Sequence, residues 1–414
     1  MTAPLTLPVD GLERRRVQRR TIAVLIAGQI ISGLGIGAAV SMGALLVAAV
    51  TGSEAWSGMA ATMNTLGAAL FAIPLALLAR RRGRRISLTT GAVTAALGAF
   101  AVVVSAVLDN PFLLLLSMAV LGIGSALNFH SRFAATDLAT DSTRGRDLSL
   151  VVWSTTIGAV VGPNLAEPSD VLGRSLGLPE LTGGFVIAAA AQLLGALLYA
   201  VALRPDPLLL ALGPHRAVPA GPQRRAARGL AILRSNLTAR RAVLATSLSH
   251  AVMVALMGMT PIHLMGHGAD LTIVGITISL HIAGMFGISP VFGLLTDRVG
   301  GRAVILLGQV LLTAALLVAA LGSQSNQLVA IALVLLGLGW SASNVAGSTM
   351  LSGAVPVEQR PATQGTSDLL MNLAGAGGGA LAGLILAGVG FSGLALCLLM
   401  PVAVVTLDQL VRRR

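Results

Sequence analysis

Apolar runs of about one bilayer's length alternate along this chain with short polar segments rich in Arg, Gly and Pro. A helix rises about 1.5 Å per residue and the hydrocarbon core of a membrane is about 30 Å thick, so roughly 20 apolar residues make one crossing. The pattern predicts six spans in the first half of the chain, at 21–50, 55–79, 86–108, 111–133, 147–166 and 183–203. It predicts six more in the second half, at 242–265, 271–295, 303–322, 326–350, 363–388 and 391–411. Lipid offers no partner to backbone amides and carbonyls, so these spans are read as helices. The run starting at Thr21 is too long for a signal-peptide core and is read as a retained first helix. Most connections are short, so successive helices should run antiparallel. The one long connection, 204–241, carries Pro205, Pro207, Pro214, Pro219 and Pro222, which make it a poor continuous helix. The expected architecture is an all-α membrane protein of about twelve transmembrane helices in two six-helix bundles. The segments are 1–20 as a tail, 21–203 as the first bundle, 204–241 as a linker and 242–414 as the second bundle.

Composition agrees with that pattern: 55% of the 414 residues are hydrophobic and 11% are charged. Soluble domains average about a quarter charged residues, so most of this chain must face lipid. The net charge of +12 could suggest nucleic acid, but its distribution does not. All 28 basic residues are Arg, and they cluster between apolar runs rather than along one face. Arg14 to Arg20, Arg80 to Arg85, Arg144 and Arg146, the eight Arg of 204–241, Arg298, Arg302, Arg360 and Arg412 to Arg414 all fall on one side of a twelve-span chain. Arg174 alone falls on the other. Cytoplasmic loops carry the excess of basic residues, so both termini are expected in the cytoplasm. The lone cysteine, Cys397, cannot form an internal disulfide and reads as a small buried hydrophobe.

The two halves look like copies. Ala76-Leu-Leu-Ala-Arg80-Arg81-Arg82-Gly83-Arg84-Arg85 stands between spans 2 and 3, and Gly293-Leu-Leu-Thr-Asp297-Arg298-Val-Gly300-Gly301-Arg302 between spans 8 and 9. Gly122-Ile-Gly124 on span 4 and Gly337-Leu-Gly339 on span 10 repeat at nearly the same offset. Parallel repeats of this kind build many transporters. The Gly293–Arg302 segment resembles the signature loop of the major facilitator superfamily, Gly-x-Leu-x-Asp-Arg-x-Gly-x-Arg. That resemblance implies that Asp297, Arg298 and Arg302, with Gly293 at the head of the motif, form a cytoplasmic charge latch. It would hold the outward-facing state and break on inward opening. The first-half copy departs from the pattern, with Arg80 in the acidic position and Ala76 in place of Gly. Gly158-Ala-Val-Val-Gly162-Pro163 on span 5 is read as a packing and kink segment.

Ionisable groups buried in a membrane mark pathways, and the deep spans hold few. Gln29, Asn64 and Asn128 are the polar candidates of the first half, with Arg132 and Asp137 near the exit of span 4 as a candidate second gate pair. Asp368 lies near a cytoplasmic end, and no mid-membrane carboxylate stands out. Aromatic residues are only 3% of the chain, which argues against a pocket that stacks a bulky ligand. Spans 7 and 8 instead hold Met and His: His250, Met253, Met257, His263 and His267 on or after the first, His281 and Met285 on the second. Spacing of four puts Met253 and Met257 on one face, and His281 and Met285 on one face. Thioether and imidazole together suit Cu(I) better than the oxygen-seeking cations. Met-x-x-x-Met followed by His-x-x-x-Met resembles the CcoA-like copper importers of the same superfamily. The resemblance implies Met253, Met257, His281 and Met285 as copper ligands; the other histidines of this region, His250, His263 and His267, are secondary candidates. That group also has relatives that carry riboflavin.

The expectation is a secondary transporter taking up copper by alternating access. A proton-coupled multidrug or small-metabolite exporter, or a riboflavin-type importer, stays open as the alternative. No nucleophile, base and acid are grouped in the spans, so an enzyme is not expected, nor is a cofactor. The expected partners are membrane lipid and a small solute or metal ion, with no nucleic acid. The chain is expected to act as a monomer in a bacterial-type cytoplasmic (inner) membrane.

Overall fold

The computed structural model describes residues 11–52, 56, 59–161, 165–213, 223–269 and 271–411. Among them the regular structure is helical throughout. In the first half the helices are α1 (Gly11–Thr51), α2 (Met59–Val107), α3 (Pro111–Leu121), α4 (Ile123–Ala134), α5 (Arg144–Val161), α6 (Ala166–Ser175) and α7 (Gly183–Ala202). The long connection holds α8 (Pro207–Leu212) and α9 (Gln223–Ser235). The second half holds α10 (Leu237–Gly266), α11 (Leu271–Phe286), α12 (Ser289–Val299), α13 (Gly301–Leu321), α14 (Asn326–Ala354), α15 (Arg360–Cys397) and α16 (Leu399–Leu410).

Eight stretches of the described residues are long and apolar enough to cross a membrane. Two of them, Thr62–Val107 and Arg360–Leu410, run 46 and 51 residues, about twice what one crossing needs. Each is broken internally by a glycine in the left-handed region, Gly83 at φ 88° and Gly390 at φ 71°. The expected breaks at 80–85 and 389–390 therefore exist as single-residue reversals rather than loops. Three other boundaries differ from expectation. Helix α1 starts at Gly11, so Arg14 to Arg20 ride on its first turns instead of in a tail. Span 4 is two helices meeting at Gly122, and span 8 is two helices meeting at Gly287 and Ile288. The Gly162-Pro163 pair of the span 5 segment lies outside the described residues.

The repeat is visible in the backbone. Gly83 and Gly300, 217 positions apart, share φ values of 88° and 89°. Gly52 and Gly268, 216 apart, follow α1 and α10 with φ 66° and 79°. Asn110 and Ser325, 215 apart, each begin a helix with a side chain that accepts from the backbone N–H three residues on. A side-chain oxygen in this position satisfies one of the orphan amides of a helix start.

Small residues let these helices touch. A Cβ on Gly158 of α5 would lie 2.6 Å from the backbone of Gly33 on α1, and one on Gly337 of α14 would lie 2.5 Å from the His281 carbonyl on α11. Such approaches drive helix association in lipid, where apolar contact alone gives no preference. The outward faces of α7, α13 and α16 are apolar and exposed, among them Leu197, Val201, Val310, Leu321 and Leu407. Cys397 is also exposed, contrary to the buried reading.

The apolar clusters show where the halves meet. Three clusters stay within one half of the chain. Two cross between halves. Leu148 and Val152 of α5 pack with Ala245 and Phe292, while Phe133 of α4 packs with Ala239, Val243 and Leu351. Both crossing clusters lie at the end of the bundle that carries the Arg-rich connections.

Candidate functional site: the pathway and its gate

The same end of the molecule holds two buried ion pairs. Arg132, in the last turn of α4, reaches across to the second half. Its Nη2 donates to Asp368 of α15 at 2.8 Å, and its Nη1 donates to Asn344 of α14. Both side chains of the pair are nearly inaccessible, at 3% and 1% exposure. Phe129 and Phe133 place their rings 5.0 and 4.9 Å from the Arg132 guanidinium carbon, which adds cation–π attraction. Asp368 Oδ2 is buried without a hydrogen-bond partner. It lies eight residues into α15, roughly 12 Å along that helix.

The second pair is Arg84 with Asp137, 2.8 Å apart and at 1% and 0% exposure. Both residues belong to the first half, and Arg84 Nη2 donates onward to Gln364 of α15 at 2.6 Å. Arg360 at the start of α15 donates to the Thr136 carbonyl at 3.3 Å. The expected Arg132–Asp137 pair is therefore corrected. Each residue has its own buried partner, Asp368 and Arg84 respectively. A charge buried in low dielectric needs a partner within contact, and two carboxylates in reach of two arginines satisfy that twice.

Asp297 also joins the halves, through a partner different from the one its motif implies. Its carboxylate accepts from the Gly145 amide at 2.7 Å and the Arg146 amide at 2.8 Å, at the N-terminus of α5. It thus caps the positive end of a helix from the other half. Arg298 is exposed, and Arg302 donates to the Leu410 carbonyl at 3.0 Å. The Asp297 carboxylate thus sits on a helix end, and neither Arg298 nor Arg302 is its hydrogen-bond partner. Gly293 and Gly145 make the approach possible, since a Cβ on Gly145 would lie 2.5 Å from the Gly293 carbonyl.

Further along the bundle, the polar candidates of the first half form two hydrogen-bonded groups. Gln29 Nε2 donates to Asn128 Oδ1 at 2.7 Å and lies 3.4 Å from Thr155 Oγ1. Ser125 Oγ donates to Asn64 Oδ1 at 2.9 Å. Asn64 and Asn128 are half-buried, so each group keeps uncharged donors and acceptors near a surface.

The Met and His residues of the second half are distributed over several environments. Met253 and Met285 are buried in the large apolar cluster of that half, and Met257 packs against it. His281 is fully buried, and its Nδ1–H donates to the Leu333 carbonyl of α14 at 2.7 Å. That bond leaves Nε2 as a bare lone pair, buried and without a partner. His250 accepts a 3.1 Å bond from the Trp340 indole, and packs against Gly375 of α15. His263 and His267 lie apart, at the opposite end from the Arg-rich connections. His263 donates to the Ser323 carbonyl at 2.8 Å and stacks on Phe391, while His267 donates to the His263 carbonyl. With Gly390 they border a pocket of about 450 Å³.

Sequence reasoning missed Arg84, Asn344 and Gln364, and it noted Asp368 near a cytoplasmic end without naming its partner. Arg84 sits in a run of five arginines that all look like surface charge, and the other three have partners over 200 positions away.

A model of the Major Facilitator Superfamily matches residues 25–272 and 242–412. The chain belongs to the major facilitator superfamily. Its members are transporters and not enzymes. A relative from Bacillus subtilis (strain 168), described as the uncharacterized MFS-type transporter YdeG, is 37% identical over 415 residues, covering 97% of this chain and 96% of that one. The riboflavin transporter RfnT of Brucella anthropi is 27% identical, covering 85% of each chain. Among solved structures, the human organic anion transporter MFSD10 (TETRAN) superposes with a TM-score of 0.79 at 17% identity, over 95% of this chain and 99% of that one. That likeness concerns the fold of this superfamily member.

Proposed function

We propose that this superfamily member is a secondary transporter that moves a small, polar, uncharged organic solute by alternating access, seen here closed at its cytoplasmic end. In this reading twelve crossings form two six-helix bundles. Both termini and the 204–241 connection are cytoplasmic, because the Arg-rich segments share one side. The observation that carries the reading is the placement of contacts between halves. The Arg132–Asp368–Asn344 and Arg84–Gln364 links and the Asp297 cap on α5 all gather at the Arg-rich end. The clusters toward the other end stay within single halves. A molecule whose described polar links between halves gather at one end is poised to open there and close at the other.

The solute class rests on Gln29, Asn64, Asn128 and Thr155, which offer neutral hydrogen bonds and no unpaired charge. The distant likeness to a riboflavin transporter fits a neutral solute with several hydroxyls. The test is a thermal-shift screen of the purified protein against flavins, nucleosides and polyols, followed by uptake into proteoliposomes. A solute that is stabilising and transported, with both effects lost in a Gln29→Ala, Asn128→Ala variant, supports the reading. Transport of such a solute at parental rate by that variant removes the site.

Copper is the second reading, and His281 favours it. A metal-binding histidine usually donates its other N–H to a carbonyl or carboxylate, and the bond to Leu333 leaves Nε2 in that condition. Cellular copper in an uptake-deficient host is the measurement. Accumulation by the parent and none by a Met257→Ala, His281→Ala variant at equal expression supports copper, while no accumulation by the parent ends that reading.

A further inference from the structure

The break at Gly83 borders a pocket that neither the pathway nor the gate uses. It has a volume of about 530 Å³ and lies between the reversal in α2 and the connection from α7 to α8. Arg82, Arg85 and Arg204 line it, with Asp206 and the apolar side chains of Leu209 and Leu210.

The charge balance inside is unequal. Asp206 is the one carboxylate in the lining, and its oxygens are already engaged by backbone amides. Oδ2 accepts from Arg85 N at 2.7 Å, and Oδ1 accepts from Leu208 N and Leu209 N at 3.0 and 3.1 Å. Its charge is therefore spread over two chain segments instead of pairing with one guanidinium. Arg85 and Arg204 are meanwhile drawn together, since both donate to the same carbonyl, that of Ala200, at 3.4 and 3.3 Å. Two like charges held at one acceptor repel each other, and an anion between them relieves that repulsion. Guanidinium groups present paired donors that match a phosphate edge.

The surroundings select among anions. The pocket lies at the Arg-rich end of the bundle. Immediately above it the face of α7 is apolar and open, with Leu197 and Val201 at 60% and 61% exposure. A phosphate seated at Arg85 and Arg204 would be one helical turn from a surface built to face acyl chains. Leu209 and Leu210 continue that apolar surface into the pocket. A free anion gains nothing from those contacts, whereas a phospholipid uses both.

We infer that this pocket binds the phosphate headgroup of an anionic phospholipid, held by Arg82, Arg85 and Arg204 with its chains along α7. The site is independent of the transported solute, so it stands or falls apart from the proposed function.

The experiment is native mass spectrometry of the full chain in neutral detergent, with phosphatidylglycerol and phosphatidylcholine added at equal concentration. The expected result is at least about a fivefold excess of retained phosphatidylglycerol. An Arg82→Gln, Arg204→Gln variant should bring it to the phosphatidylcholine level. Both residues are exposed, so this variant should keep its fold, which the parental melting transition checks. Leu210→Glu, which adds a negative charge to the pocket and leaves every arginine in place, should have the same effect. Arg19→Gln with Arg20→Gln removes the same charge from exposed positions on α1 and should leave the selectivity intact. Equal loss in the α1 variant would overturn the site in favour of diffuse charge. Inorganic phosphate that competes at millimolar concentration, with no preference between the two lipids, would overturn the lipid assignment and leave a free-anion site.

Discussion

Removing the Asp368 carboxylate tests the gate most directly, because it strands Arg132. In Asp368→Ala the guanidinium keeps its bond to Asn344 and the rings of Phe129 and Phe133, but it loses its counter-charge at 3% exposure. Breaking a buried pair by removing one partner costs about 3–5 kcal/mol. The pair joins α4 of one half to α15 of the other, so the penalty falls on the state in which the halves touch. Opening the Arg-rich end lets water reach Arg132 and cancels most of it. At about 1.4 kcal/mol per factor of ten, the closed-to-open ratio should fall by roughly 100- to 3,000-fold. The assay is spin-label distance measurement between cysteines at Ser142 and Glu358, both exposed and on opposite halves, in a Cys397→Ser background. The parent should show a short distance and Asp368→Ala a longer one. A second variant, Arg132→Met with Asp368→Leu, removes both charges and should recover much of the short population, because no buried charge is left alone. An unchanged distance in folded Asp368→Ala protein would refute the reasoning. So would a double variant as open as the single one, since pairing would then not be the cause.

Three further outcomes are expected. Gly145→Val sets a side chain against the Gly293 carbonyl and Asp297, so the same labels should report opening while the melting temperature changes little. Gly83→Ala places a Cβ against the Asp206 carboxylate at φ 88°, and should lower the melting temperature through backbone strain of about 1–3 kcal/mol; an unchanged melting temperature would contradict it. Arg84→Ala strands Asp137 inside the first half, so it should destabilise the fold itself, in contrast to Asp368→Ala, and lower expression of folded protein as read by size-exclusion chromatography.

The helices were legible because lipid imposes a single rule: a run of apolar residues near twenty long has almost no alternative to being a spanning helix. The breaks at 80–85 and 389–390 could be read for the same reason. The conformation of Gly83 and Gly300 could not, although their matching positions in the repeat pointed to equivalent turns. The gate was only partly readable. Arg132 and Asp137 were picked out because charge near a span is rare, but proximity in sequence suggested that they pair with each other. Pairing depends on how the halves dock, and Asp368 is 236 positions from Arg132. Arg84 was hidden by its neighbours, since composition cannot tell a buried arginine from four others in the same run. Asp297 was found through its motif, yet its acceptor role toward backbone amides has no residue-type signal at all. The methionines of α10 and α11 share an apolar cluster, which their spacing allowed but did not require.

The choice of charged groups for a contact that must come apart has a physical consequence. An apolar surface of the same size would close firmly and expose grease on opening, which costs free energy at about 25 cal/mol per Å². A buried ion pair behaves differently, because its attraction is nearly offset by the desolvation of both charges. Closure through the Arg132–Asp368 pair therefore specifies one docked geometry while contributing little net free energy, and the Arg84–Gln364 hydrogen bond adds to that specificity. Opening returns Arg132, Asp368 and Gln364 to water, where each is stable alone. The unpartnered Asp368 Oδ2 adds to this, since an incompletely satisfied carboxylate makes the closed state less favourable than a fully bonded one. The apolar contacts at the same end are made by a few side chains, Phe133, Leu148 and Val152 among them. In the proposed alternating-access reading, a gate built this way keeps its two states within a few kcal/mol of each other, which is the range that the differential binding of a small solute can tip.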